Sequence, residues 1–275
     1  MKGFLCVAQN NEQTDYVRLA YLQRMSCKLV SDLPYTLITD QQSHQDMTAH
    51  IRDSFDNIIV LEQDHSAGQS WKQANDWQLF GLSPYKQTIK MEADLLLTNN
   101  IDHWWRMLEN RDVVISLGCR DYRGDPGQDR SYRRIFDDNE LPDIYTGLMY
   151  WRYSHTAQDF FNLCQSIWAN WPWVKQGLKQ CDDPGSNDMV FAVAAQIMGP
   201  ELVTIPGADF FNFAHMKPAI NRLPREWHQE LNWELDPPDI RIGGYQQWYP
   251  VHYHEKDWVT DDIIRRYSRS LARTG

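Results

Sequence analysis

Lys90-Met91-Glu92-Ala93-Asp94-Leu95-Leu96-Leu97-Thr98 places two carboxylates, one residue apart, inside an otherwise apolar run. Upstream, Gln87-Thr88-Ile89 reads as a β-strand leaving a Pro84-Tyr85 turn. Downstream, residues 95–97 read as the same buried strand resumed until the Thr-Asn-Asn break. On an extended chain residues i and i+2 share a side, so Glu92 and Asp94 are expected to project together. Such a pair in apolar surroundings needs a cation, a proton or a basic partner. A hard divalent metal carrying a diphosphate meets that need. An acidic pair of this kind also occurs as a solvated turn or a helix cap, so the flanking elements bear on the choice.

Those elements alternate. Residues 3–8 form a buried first strand that ends in polar Gln9-Asn10-Asn11, and Tyr16, Leu19, Ala20, Leu22 and Met25 follow at a helical period. Strands are expected at 35–39, ending in Asp40, and at 58–61. A helix is expected over 71–80, closed by Gly81 and Pro84. Beyond the acidic pair come a helix over 102–108 and a strand over 113–117. Strands alternating with helices predict an α/β fold with a mainly parallel central sheet and helices on both faces. Ligands then sit beyond the carboxyl ends of the strands, where Asn10, Asp40, Glu92 and Asp94 fall.

A chain of 275 residues is long enough for one large domain or two small ones with a sizeable core, and its formal charge of -10 argues against a non-specific nucleic-acid coat. Its twelve Trp and thirteen Tyr serve either cores or stacking on sugars and bases. Five scattered cysteines without Cys-x-x-Cys spacing predict reduced thiols and no structural zinc. With no signal-peptide pattern and no membrane-length apolar run, the expected setting is soluble and cytoplasmic.

Residues 119–142 form a long polar stretch in which Arg120, Arg123, Arg130, Arg133 and Arg134 outnumber Asp121, Asp125 and Asp129. A stretch of this length is expected to be a mobile basic lid or a solvated insertion. A strand follows over 144–151 with a Thr146-Gly147 break, then an amphipathic helix over 155–168. Asn187-Asp188 opens an apolar helix that Gly199-Pro200 ends. The last third is irregular and aromatic-rich. If residues 250–254 are extended, His252 and His254 share one side as potential ligands. The tail, with Arg265, Arg266, Arg269 and Arg273, reads as a basic amphipathic helix with a solvated face.

In order and spacing these features resemble the nucleotide-sugar glycosyltransferases of the GT-A fold, especially the glycogenin-like branch. Residues 3–10 resemble the nucleotide-binding first unit, and Pro84 through Asp94 resembles the strand leading into the Asp-x-Asp metal motif. Tyr145-Thr146-Gly147-Leu148-Met149 is similar to the Asn-Ser-Gly acceptor segment. Asn187-Asp188-Met189 looks like the start of the helix lining the sugar site. Here Glu92 stands where the motif has Asp, and Thr146 departs from its Ser.

The resemblance implies one domain over 1–275: a nucleotide-binding half over 1–118, the basic loop over 119–142, and an acceptor-side half over 143–275. It implies Mn2+ or Mg2+ held by Glu92, Asp94 and a late histidine, His252 or His254 being preferred to His215. The donor, a nucleotide-diphosphate sugar, would meet Ala8, Asn10, Tyr16, Asp40, Lys72, Glu92 and Ala93, with Lys72 on the helix ahead of the central strand. Asp188, Asn187 and Lys72 would serve the chemistry, and Thr146, Gly147, Arg123 and Tyr132 the acceptor. A looser likeness to bacteriophage enzymes that glycosylate hydroxymethylated pyrimidines in DNA makes DNA an acceptor beside a saccharide. A nucleotidyltransferase of the same fold would want a Gly-rich basic loop after the first strand, which Ala8-Gln9-Asn10-Asn11 is not. A non-catalytic sugar or partner binder is the remaining alternative.

Overall fold

The computed structural model describes residues 1–69, 72–127, 129 and 131–274. Its main sheet has six strands in the order β3-β2-β1-β4-β7-β6. These are β1 (Lys2–Val7), β2 (Tyr35–Thr39), β3 (Asn57–Val60), β4 (Gln87–Met91), β6 (Val113–Leu117) and β7 (Ile144–Arg152). The first four are mutually parallel, and β7 runs antiparallel to both β4 and β6. The α/β fold class with a mainly parallel sheet is therefore observed.

Helices cover both faces because alternate side chains of each central strand are apolar. Phe4 and Cys6 of β1 join the core beneath the Tyr16–Val30 helix, while Leu5 joins a second core on the opposite face. Asp15 caps the Tyr16–Val30 helix, accepting from the Arg18 N–H at 2.9 Å. On the opposite face the His155–Ala169 and Asn187–Met198 helices meet through Phe160, Phe161 and Phe191, with edge-to-face rings 5.7–6.0 Å apart. The C-terminal helix Asp261–Thr274 is amphipathic as expected. It buries Ile263 and Tyr267 and ties to Arg18 through Asp261 at 2.7 Å.

A second, three-stranded sheet holds β5 (Leu95–Leu96), β8 (Ala214–His215) and β12 (Val251–His252) in the order β5-β12-β8. A separate meander contains β9 (Trp233–Asp236), β10 (Asp239–Ile242) and β11 (Tyr245–Gln246).

Three local expectations are corrected. The strand at 87–91 does not continue through 95–97: Glu92-Ala93-Asp94 is a turn, and Leu95 enters the second sheet antiparallel to β12. Leu95 to Leu97 are buried in either arrangement, so apolarity could not reveal the change of sheet. Helical structure expected over 71–80 is confined to Asp76–Gln78 and Leu79–Leu82, with Gly81 inside it. Trp71 lies outside the described residues, and Lys72 is on an irregular segment because Ser66 and Asn75 tie that segment into a loop.

The 119–142 stretch is also more committed than a free basic lid. Arg130 lies outside the described residues, and each of the other four arginines faces a carboxylate: Arg120 with Asp209, Arg123 with Asp121, Arg133 with Asp143 and Asp188, Arg134 with Asp138. The short helix Arg134–Asp138 lies within the stretch.

Gly3 shows how tightly the parallel core is closed. A Cβ there would overlap the Tyr85 ring, and that ring is fixed by a 2.7 Å hydrogen bond between its hydroxyl and Thr36 Oγ1. Gly3→Ala is expected to cost about 1–3 kcal/mol of unfolding free energy, read by chemical denaturation. A stability equal to wild type would show that Tyr85 yields without loss.

Candidate functional site

At the carboxyl end of β1 and β4 the surface opens into a cleft of about 440 Å³, floored by the Glu92–Asp94 turn. The turn is built from its backbone outward. The Glu92 N–H donates to Gly147 O at 2.9 Å, and the Leu95 N–H closes the turn on Glu92 O at 3.0 Å. From behind, the buried Gln23 amide of the Tyr16–Val30 helix donates to Glu92 O and to Leu95 O, the latter at 2.7 Å. Gln23 is itself held by the Tyr35 hydroxyl at 2.5 Å. On the other side the Tyr253 N–H donates to Asp94 O at 3.1 Å, fastening the turn to the segment that carries His252.

This backbone brings Glu92, Asp94 and His252 together, with one potential ligand atom from each lying within 4.8 Å of the others. His252 Nε2 is 2.9 Å from Asp94 Oδ2 and 3.5 Å from Glu92 Oε2. Adjacent ligands of a small octahedral cation lie about 3 Å apart, given metal–ligand distances of ~2.1 Å. Two carboxylates and an imidazole gathered in this way could hold a divalent metal ion. His215 stacks on the His252 ring at 4.5 Å and 14°. Lys256 Nζ reaches Asp94 Oδ2 at 2.6 Å.

The charges follow from this packing. Burial would raise the Asp94 carboxyl, but His252 and Lys256 together outweigh it and hold Asp94 well below the usual carboxylate range. Burial dominates at Glu92 and raises it. His252 is raised, because Asp94 and Glu92 overcome the burial that would lower it. Burial, reinforced by Lys256 and His252, pushes His254 down to about 4.

His252 and His254 do not share a side. His254 has φ +62°, so the extended path ends after β12, and among the described residues His252 alone joins the two carboxylates. His254 remains on the cleft wall with His215. Tyr16, Lys72, Ala93 and Asn187 also line the cleft, whereas Ala8 is buried between Val7 and Gln9, which do line it.

Asn10 and Asp40 stand at strand ends as anticipated, but their side chains are engaged in capping. Asn10 Oδ1 accepts from the Val17 N–H at 3.0 Å, and Asp40 Oδ1 from the Ser43 N–H at 2.7 Å. Asp188 is likewise committed. Its Oδ1 accepts from the Thr146 N–H and hydroxyl at 2.9 and 2.8 Å, and its Oδ2 from Arg133 at 2.6 Å. Arg133 is clamped between the Phe136 and Tyr145 rings. Asp188 thus fixes the β7 bulge, where pairing jumps from Ile115–Met149 to Ser116–Tyr145 and exposes Gly147 to Glu92.

A Cβ on Gly147 would lie 2.9 Å from Glu92 Oε2, so glycine is what admits that carboxylate. Arg123 packs over Tyr122 away from the cleft lining. The Tyr132 hydroxyl meets the Tyr145 hydroxyl at 2.5 Å, with Lys217 Nζ 4.2 Å from the Tyr132 ring centroid.

Sequence reading missed Gln23, Lys217, Lys256 and the Lys90–Asp76 pair. Lys90 Nζ bonds Asp76 Oδ2 at 3.0 Å and Thr146 O at 2.8 Å in the wall of the cleft. A lysine inside an apolar strand is a legible signal of a buried partner. Gln23 gave none, since it sits at an ordinary helical position.

No family model matches the chain, and no curated protein matches it in sequence. Mouse xyloside xylosyltransferase 1 in its apo form aligns with 74% of this chain and 85% of its own, at 14% identity and a TM-score of 0.47. The galactosyltransferase LgtC, in complex with donor and acceptor sugar analogues, covers 99% of this chain and 96% of its own, with a TM-score of 0.58 and 11% identity. An active-site mutant of LgtC covers 100% and 96%, with a TM-score of 0.59 and 14% identity. The chain therefore has the fold of the GT-A-like glycosyltransferases.

Proposed function

We propose that this chain is a metal-dependent glycosyltransferase, moving a sugar from a nucleotide-diphosphate sugar to an acceptor hydroxyl. The observation that carries the reading is the convergence of Glu92, Asp94 and His252 at the carboxyl-end cleft of this fold. Glu92, Asp94 and His252 would hold Mn2+ or Mg2+, which when bound neutralises charge gathering on the departing diphosphate.

The chain's own groups supply the rest. Lys256, fixed on Asp94, can donate to a phosphate oxygen. Lys72 offers a second ammonium from the neighbouring wall, and Tyr16 an aromatic surface near the tip of β1. The side-chain amides of Gln73 and Asn187 are suited to vicinal hydroxyls, holding the donor while the acceptor is oriented, whereas that of Gln9 is engaged by Asp40 and Asn75. Asp188 is a positioning residue in this scheme, since its oxygens are occupied by Thr146 and Arg133. A saccharide acceptor is favoured over DNA because each described arginine of the 119–142 stretch faces a carboxylate, which lowers the positive charge the stretch offers to phosphates. Whether a hexose or a pentose is moved depends on donor contacts that a nucleotide-sugar panel would reveal.

Thermal stabilisation by nucleoside diphosphates and nucleotide-sugars, with and without Mn2+, tests the reading directly. A Mn2+-dependent rise in Tm with one nucleotide is expected, whereas no rise with any of them would refute it. Asp94→Asn is expected to abolish the Mn2+-dependent shift and to lower turnover by about two orders of magnitude, with the far-UV spectrum unchanged. Full metal-dependent turnover in that variant would remove Asp94 from the site.

Gly147→Ala pushes a methyl group against Glu92 Oε2 and is expected to weaken Mn2+ affinity about tenfold in a calorimetric titration. An unchanged affinity would place Glu92 outside the metal's ligand set.

A further inference from the structure

The cleft belongs to an acidic protein, yet its own lining carries an excess of positive charge. Lys72, Lys90, Lys217 and Lys256 face only Asp76, Glu92 and Asp94. Three of the lysines are already accounted for. Lys90 is paired with Asp76, Lys256 with Asp94, and Lys72 donates to Ser66 O at 3.0 Å in the field of Asp64.

Lys217 differs. Among the described residues it has no carboxylate within ion-pair distance, and its ammonium rests over the Tyr132 ring, 4.2 Å from the centroid. It follows β8, the outer strand of the β5-β12-β8 sheet, while Asp94 adjoins β5 and His252 lies on β12. Lys217 therefore lines the cleft from the β8 side of the acidic turn, with His215. Burial and the nearby Arg133 disfavour the Lys217 ammonium and together outweigh Asp188, which favours it, so an anion placed beside it gains more than it would at an open surface. The Tyr132 ring, held by the contact of its hydroxyl with that of Tyr145, fixes the Lys217 ammonium in place without neutralising it.

We infer that Lys217 is an acceptor-specificity residue, and that the acceptor is an acidic saccharide whose carboxylate or phosphate group pairs with its ammonium while a neighbouring hydroxyl faces the donor. This assignment rests on the glycosyl-transfer reading.

The test uses the full chain with Mn2+ and whichever of UDP, GDP, ADP or dTDP stabilises it. Methyl β-glucuronide and methyl β-galacturonide are titrated beside their neutral hexosides, together with the hexose 6-phosphates, on wild type, Lys217→Met and Lys217→Arg. Wild type is expected to prefer acidic members about tenfold or more, since hydrogen bonds to charged groups are worth about 1.5–3 kcal/mol. The preference is lost in Lys217→Met and kept in Lys217→Arg, with nucleotide affinity unchanged in both. The carboxylate and phosphate arms separate the two sources of the anion.

Equal affinity for acidic and neutral sugars, including none for either, overturns the assignment while nucleotide binding leaves the donor reading intact. Failure of every nucleotide to bind overturns both. A Lys217-dependent preference for UDP-glucuronate over UDP-glucose moves the anion to the donor and overturns the acceptor assignment. So does Lys217-dependent binding of a hydroxymethylcytosine oligonucleotide, which makes the anion a nucleic-acid phosphate.

Discussion

Between Met91 and Leu95 the chain leaves one sheet and enters another, and the three residues of that crossing are the constraint on which the rest of the site depends. Two sheets can share a seam only if the connecting backbone finds hydrogen bonds without a ladder of its own. Gln23 supplies them to Glu92 O and Leu95 O, Gly147 O receives the Glu92 N–H, and the Tyr253 N–H serves Asp94 O. Each contact comes from a different element, so the carboxylates are fixed by the packing of the whole core. Loss of the Gln23 amide would strand buried carbonyls, a cost larger than the bond it removes.

Beneath the turn lies a second layer of commitment. Lys90 and Asp76 are almost wholly buried, and such a pair contributes little net stability because desolvation offsets its attraction. Its value here is geometric. Lys90 Nζ also binds Thr146 O, so it pins the β7 bulge from below while Asp188 and Arg133 pin it from the side. Burial disfavours the Lys90 ammonium, yet Asp76 and Glu92 keep it charged. A bulge held from two directions presents Gly147 to Glu92 with little freedom, which suits a site whose donors must converge to within tenths of an ångström.

The fold was legible because its evidence is periodic. Alternating strands and helices and the Gly199-Pro200 stop follow from local rules. The acidic pair was legible because carboxylates in an apolar run are rare, though the extended geometry assigned to it was mistaken. An unbroken apolar run looks identical whether it continues one strand or begins another. The choice between His252 and His254 turned on the left-handed backbone of a non-glycine residue, for which the sequence holds no signal. Asp188 was singled out by position in a motif. Its burial of purpose behind Arg133 depends on a partner 55 residues away, and pairings at that range are invisible to spacing. Lys256 escaped notice for a related reason, since its partner Asp94 lies 162 residues earlier.

That last separation bears on how the molecule comes into being. The acidic turn is complete as sequence by residue 94, yet its imidazole arrives with residue 252, on the strand that fills the gap between β5 and β8, and its ammonium with residue 256, just after that strand. During synthesis the parallel strands can assemble as they emerge, but the central strand of the second sheet is among the last pieces delivered. Closing so long a loop is slow compared with forming local structure. Until it closes, Asp94 lacks both His252 and Lys256, the two groups that hold its carboxyl low, so the charge balance of the turn is the last part of the cleft to be set.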